Sequence, residues 1–104
     1  MRYITARDFT GDRPWQALDI ANIDGVTARL HWTDTPYKWH INDGQEVFVV
    51  LDGAVDMHVR GDDGAVTITH MKPGMIAHAT PGVEHVAHPV VPSRILVIER
   101  EGSV

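Results

Sequence analysis

The feature that most limits how this chain can fold is its punctuation. Apolar residues come in short alternating or continuous runs, cut by Gly, Pro and Asp about every 8–12 residues, and nowhere recur at helical spacing. Val26, Ala28, Leu30 and Trp32 alternate with Thr27, Arg29, His31 and Thr33 after an Asp24-Gly25 pair of the kind that closes a tight hairpin. Val55, Met57 and Val59 alternate with Asp56, His58 and Arg60 up to the turn Gly61-Asp62-Asp63-Gly64. Further strands are predicted over 66–69, 75–79 and 94–99, separated by Lys72-Pro73-Gly74 and Pro81-Gly82. The pattern predicts an all-β sandwich or barrel. Residues 8–14 are the least periodic and read as loop.

The 104 residues make one domain, divided into an N-terminal strand or loop arm over 1–14 and a barrel over 15–104. A chain of this size buries about 65% of its unfolded surface, enough for a core without staples. Cysteine is absent, so any metal must sit on nitrogen and oxygen. Nine Lys and Arg against fourteen Asp and Glu give a net charge of −5. With no basic cluster, a nucleic-acid partner is not expected. The first eight residues lack the apolar stretch of a signal peptide, and no apolar run approaches spanning length. A soluble, cytoplasmic chain without a membrane partner is therefore expected.

Residues 47–51, Val-Phe-Val-Val-Leu, are apolar on both faces. A strand with one wet face would alternate, so the outer face must also be covered. The cover is either the chain's own N-terminal segment or a second copy, and a homodimer is carried forward as the expected assembly.

Seven histidines stand out. His40 and Asn42, two apart in an extended segment, share a face, while Trp39 and Ile41 point the other way. Asp43-Gly44 then turns the chain, and Glu46 is expected to return towards His40 across the hairpin. His85 follows the Pro81-Gly82 turn, where a strand re-enters the sheet. Two imidazoles and a carboxylate with open positions suit iron, zinc or manganese. Three other histidines, His31, His58 and His70, read as structural groups satisfied by hydrogen bonds. His78 and His88 stand between the two readings, with His88 a candidate substitute ligand or proton carrier.

At these spacings the sequence resembles the cupin superfamily. Its first motif runs His-x-His, three or four residues, Glu, six residues, Gly; here stand His40-Ile41-Asn42, Glu46 and Gly53. Its second runs Gly, five residues, Pro-x-Gly, two residues, His, three residues, Asn; here stand Gly74, Thr80-Pro81-Gly82, His85 and Pro89. Thr80 and Pro89 depart from that pattern. The strings around 39–40, 46–53, 82–85 and 98–104 look like the small single-domain cupins often labelled mannose-6-phosphate-isomerase-like, and the resemblance extends from Trp15 to the C-terminus.

What the resemblance implies is a jelly-roll β-barrel, the double-stranded β-helix. It implies a divalent cation (zinc, manganese, nickel or iron) near the mouth, held by His40, Glu46 and His85. Where the family has a fourth ligand histidine, this chain has Asn42, whose amide oxygen is a weaker, harder donor or a hydrogen-bond partner for bound water. The expected function is a metal-dependent enzyme of isomerase or dioxygenase type acting on a small polar molecule that chelates through two oxygens. No catalytic residue is singled out. A phosphomannose isomerase is disfavoured because nothing basic is clustered to receive a sugar phosphate. The alternative is a non-enzymatic, ligand-binding or structural dimer with a weak metal site, which Asn42 favours.

Overall fold

In the computed structural model, which describes residues 1–103, nine strands follow a three-residue 3-10 turn at Ala6–Asp8. They are β1 (Gln16–Ile23), β2 (Val26–Thr33), β3 (His40–Ile41), β4 (Glu46–Asp52), β5 (Val55–Arg60), β6 (Val66–Met71), β7 (Ile76–Ala79), β8 (Glu84–Pro89) and β9 (Ser93–Arg100). The strand boundaries fall within two residues of those the alternation predicts for 66–69, 75–79 and 94–99. Asp24 and Gly25 both take positive φ, 52° and 88°, the conformation a two-residue hairpin turn demands and Asp-Gly supplies. No helix among the described residues is long and apolar enough to cross a membrane.

The strands form two antiparallel sheets, one ordered β1-β2-β9-β4-β7 and the other β3-β8-β5-β6. This is the all-β jelly roll that the resemblance implies, with one correction. The sheets are not joined edge to edge, so the expected closed barrel is an open-edged sandwich. Of the chain's six changes of sheet, those between β2 and β3, β6 and β7, β7 and β8, and β8 and β9 run through segments holding Pro36, Pro73, Pro81 and Pro92. A proline brings no N–H to a shared ladder and ends pairing there.

Alternation sorts the side chains. Phe48 and Val50 of β4, Val55 and Met57 of β5, and Ile95 and Val97 of β9 meet with Met71 and Ala87 between the sheets. Burying such side chains stabilises by about 1.5–3 kcal/mol each. Gly53, the motif glycine between β4 and β5, has φ of 94°. A Cβ there would collide with Ser93 Oγ, which itself receives Ala54 N–H at 3.2 Å and donates to the Val91 carbonyl at 2.7 Å. The glycine thus seats the start of β9 against the β4–β5 turn.

The outer face of the larger sheet carries the apolar row Leu30, Leu96, Val49 and Ile76, each opposite the next across β2, β9, β4 and β7. The N-terminal arm lies on this sheet. Arg94 donates from Nε to the Phe9 carbonyl at 2.9 Å and from Nη2 to Thr10 Oγ1, while its Nη1 meets Asp52. Arg2 donates to the Asp19 and Ile20 carbonyls of β1. Leu30 is buried, whereas Ile76 at the far end is 67% exposed.

Candidate metal centre

Register places the first two donors. His40 of β3 lies directly opposite His85 of β8, both facing the interior, with ring centroids 4.3 Å apart. Each ring sets its Nδ1 against a carbonyl, Lys38 O at 3.1 Å for His40 and Val83 O at 2.9 Å for His85. A carbonyl can only accept, so Nδ1 carries the hydrogen and the neutral ring presents a bare Nε2 to the interior.

Glu46 supplies the carboxylate, but not by the expected route. Its strand belongs to the opposite sheet, because the loop 42–45 crosses between the layers instead of closing a hairpin. Glu46 therefore faces the two imidazoles from across the sandwich, Oε1 3.5 Å from His85 Nε2 and Oε2 4.0 Å from His40 Nε2. The donor atoms of all three residues lie within 4.8 Å of one another. Asn42 is buried beside them and donates from Nδ2 to Glu46 Oε2. A backbone bond from Gly82 N–H to the Asn42 carbonyl at 3.1 Å ties the loop after β3 to the turn before β8.

Two buried polar atoms here have no hydrogen-bond partner, His85 Nε2 and Asn42 Oδ1. Such atoms are costly in a protein interior and are commonly matched by an ion or water. The electrostatics point the same way. Burial alone would raise the Glu46 pKa, yet the imidazoles of His40 and His85, with Glu99 and Asn42, hold it well below the usual carboxylate range. Burial alone would lower the His85 pKa, but the Glu46 carboxylate and the Val83 carbonyl more than offset this and raise it. A pocket that favours a proton on His85 favours positive charge at that point, and a divalent ion is one form of it.

A cavity of about 230 Å³ opens over these groups, walled by Trp15, Arg29, His31, Tyr37 and Glu99 among others. Since an apolar cavity of roughly 150 Å³ accommodates benzene, this one suits a molecule of about one ring with a few polar atoms. Tyr37 stands edge-on to His40 and to Trp15, with centroids 5.1 and 5.2 Å away. Arg29 donates from Nε to Asp19 at 2.7 Å.

Glu99 was not singled out from the sequence, although the alternation Ile95, Val97, Glu99 puts it on the interior face. It lies directly opposite Glu46. Burial and the Glu46 carboxylate beside it raise its pKa to about 7. His31, expected to be structural, does accept that role through Trp15 O at 3.0 Å, but it also lines the cavity. Burial lowers its pKa. His70 is hydrogen-bonded as expected, to Asp56 at 2.6 Å, whereas His58 stacks on His88. His78 pairs with Gln45 at 2.7 Å outside the sandwich. His88 shares the outer face of its sheet with Asp56, so it is no substitute ligand for the interior site. Its offset of three from His85 turns it to the opposite face.

Neither a protein-family model nor a curated protein sequence matches the chain. Solved structures do. A cupin-2 domain protein from Shewanella frigidimarina superposes with a TM-score of 0.77 at 23% identity, over 88% of this chain and 85% of that one. A cupin superfamily protein from Desulfitobacterium hafniense gives 0.75 at 14% identity, over 95% and 90%. A hydroquinone 1,2-dioxygenase in complex with Fe3+ gives 0.78 at 18% identity, with 88% of this chain matching only 29% of that one. The chain has the cupin fold. Within it, His40, Glu46 and His85 form a candidate metal site.

Proposed function

We propose that this chain is a small metal-dependent cupin enzyme, of isomerase or dioxygenase type, acting on a small polar molecule that binds through oxygen. His40, Glu46 and His85 would hold a divalent ion (zinc, manganese, nickel or iron), with Asn42 orienting the Glu46 carboxylate through its amide. The observation that carries the reading is the bare, buried His85 Nε2 facing Glu46. When bound, such an ion supplies Lewis acidity, or oxygen chemistry if it is ferrous iron. Around it the chain's own groups divide the work. Tyr37 and Trp15 wall off the cavity, Arg29 offers a cation to an anionic oxygen, and the Glu99 carboxyl holds or moves a proton beside Glu46. The likeness in fold to an iron-bound dioxygenase supports metal dependence without naming the substrate.

Purified without an affinity tag, the chain is expected to carry about one equivalent of divalent metal in this site, and to regain it after chelation. Less than about a tenth of an equivalent, with no recovery on titration, would defeat the enzyme reading. The second reading, a non-enzymatic ligand-binding cupin, is favoured by the Asn42 amide, which spends its N–H on the carboxylate oxygen an ion would use. Metal retained without turnover of any oxygen-chelating substrate would support it. We also propose a homodimer through the outer face of the larger sheet, supported by the row ending in exposed Ile76. Light scattering should give twice the chain mass, and a monomer at high concentration would reject the dimer.

A further inference from the structure

The outer face of the smaller sheet carries a second group of metal-ligating side chains that the interior site does not use. β5 runs between β6 and β8, so Asp56 stands directly opposite His70 on one side and His88 on the other. Directly opposed residues bring their Cβ atoms to about 4.5–5.5 Å. His58, two residues along β5, shares the face. Its ring meets that of His88 with centroids 4.2 Å apart and planes 31° apart, a separation matching the 4.3 Å of His40 and His85. Val86, buried at 2% exposure, lies opposite His58 on the same face. Trp39 stands edge-on to His58 at 6.5 Å and is capped by the Arg60 guanidinium, which Glu84 holds at 3.5 Å.

We propose that His58, His88 and Asp56 form a second, solvent-facing site for a borderline transition-metal ion such as Ni2+, Cu2+ or Zn2+. Two imidazoles and a carboxylate are the donor set such ions take. All three stand on adjacent, hydrogen-bonded strands, so the backbone is already in place and only half-buried side chains at the surface turn to meet the ion. His70 acts as a positioning residue. Its Nδ1 lies 2.6 Å from Asp56 Oδ1, which steadies the carboxylate and leaves Oδ2 for the ion. The net charge of −5 favours any cation at the surface. This site is independent of the interior one, sharing neither side chains nor face of the sheet.

The test is equilibrium titration of the untagged full chain with Ni2+. Wild type should bind two equivalents and the double variant His58→Gln/His88→Gln only one. His85→Ala should keep one, and Cu2+ bound there should quench fluorescence that is lost in His85→Ala/Trp39→Phe. His70→Ala should weaken this site about tenfold. Unchanged stoichiometry in the double variant overturns the proposal, as does a single equivalent that His85→Ala removes. A single equivalent that the double variant removes leaves this proposal standing and defeats the interior site instead. The double variant decides alone if His85→Ala does not fold, because His58 and His88 lie on the outer face.

Discussion

The smaller sheet carries a histidine pair on each face, nearly equal in ring separation and opposite in setting. Inside, His40 and His85 are backed by carbonyls at Nδ1, faced by a buried carboxylate, and roofed by an aromatic cavity. Outside, His58 and His88 stack at the surface beside a carboxylate already engaged by His70. The ring geometry alone therefore does not distinguish the candidate metal centre inside from the proposed ion site outside. Burial does, because it strips competing water, raises the cost of an unmatched Nε2, and magnifies the pull of Glu46 on positive charge.

The sharpest way to break that contrast is to disarm the interior. His85→Ala or Glu46→Gln should lower metal affinity there by at least about a hundredfold while leaving the outer pair's affinity unchanged, as read by calorimetric titration. Equal loss at both faces would mean the two are not separate. Asn42→His should move the other way, strengthening interior binding by about tenfold, since imidazole replaces an amide that now occupies Glu46. No gain would show that Asn42 does not limit the site.

Next in size is a pH effect confined to the interior. In the metal-free protein, Glu99 has a folded pKa raised to about 7, so the stability it contributes is full below its unfolded value, about 4.3, and is lost as pH rises towards 7. His85, also raised, is fully stabilising below about 6.5 and loses that contribution as pH climbs through its folded value. His31, lowered by burial, acts in the opposite sense and offsets part of this. Glu99 decides the sign, so the metal-free melting temperature should fall between pH 5 and pH 8. Bound metal should flatten or reverse that slope, because its affinity grows as the imidazoles lose protons. Scanning calorimetry with and without chelator tests both slopes, and parallel curves would sever the link between these groups and the ion. Smallest is the outer face itself, where His58→Gln should change stability by less than about 0.5 kcal/mol in denaturant titration, as surface substitutions commonly do.

Much of this was legible in the residues. Alternation placed β2 and β5 because each keeps one face against the core, and the Asp24-Gly25 turn announced its hairpin. His40, Glu46 and His85 were found by spacing, since the distances along the chain between turns are what bring them together. What spacing does not encode is which strands pair at long range. Glu99 and Arg29 come to the cavity because β9 inserts between β2 and β4, an arrangement no local pattern states. The same gap put Glu46 in a hairpin with His40 when it faces His40 from the other layer. The outer cluster was missed for a related reason: Asp56, His58, His70 and His88 look like scattered polar positions until three strands are laid side by side.

The single main-chain bond between Gly82 and the Asn42 carbonyl has a wider consequence. It fastens the loop after β3 to the turn before β8 through atoms that every amino acid except proline possesses, so exchanging a candidate donor side chain there leaves that main-chain link in place. The preference of such a centre for one ion over another can then drift by single substitutions, without the scaffold having to be rebuilt.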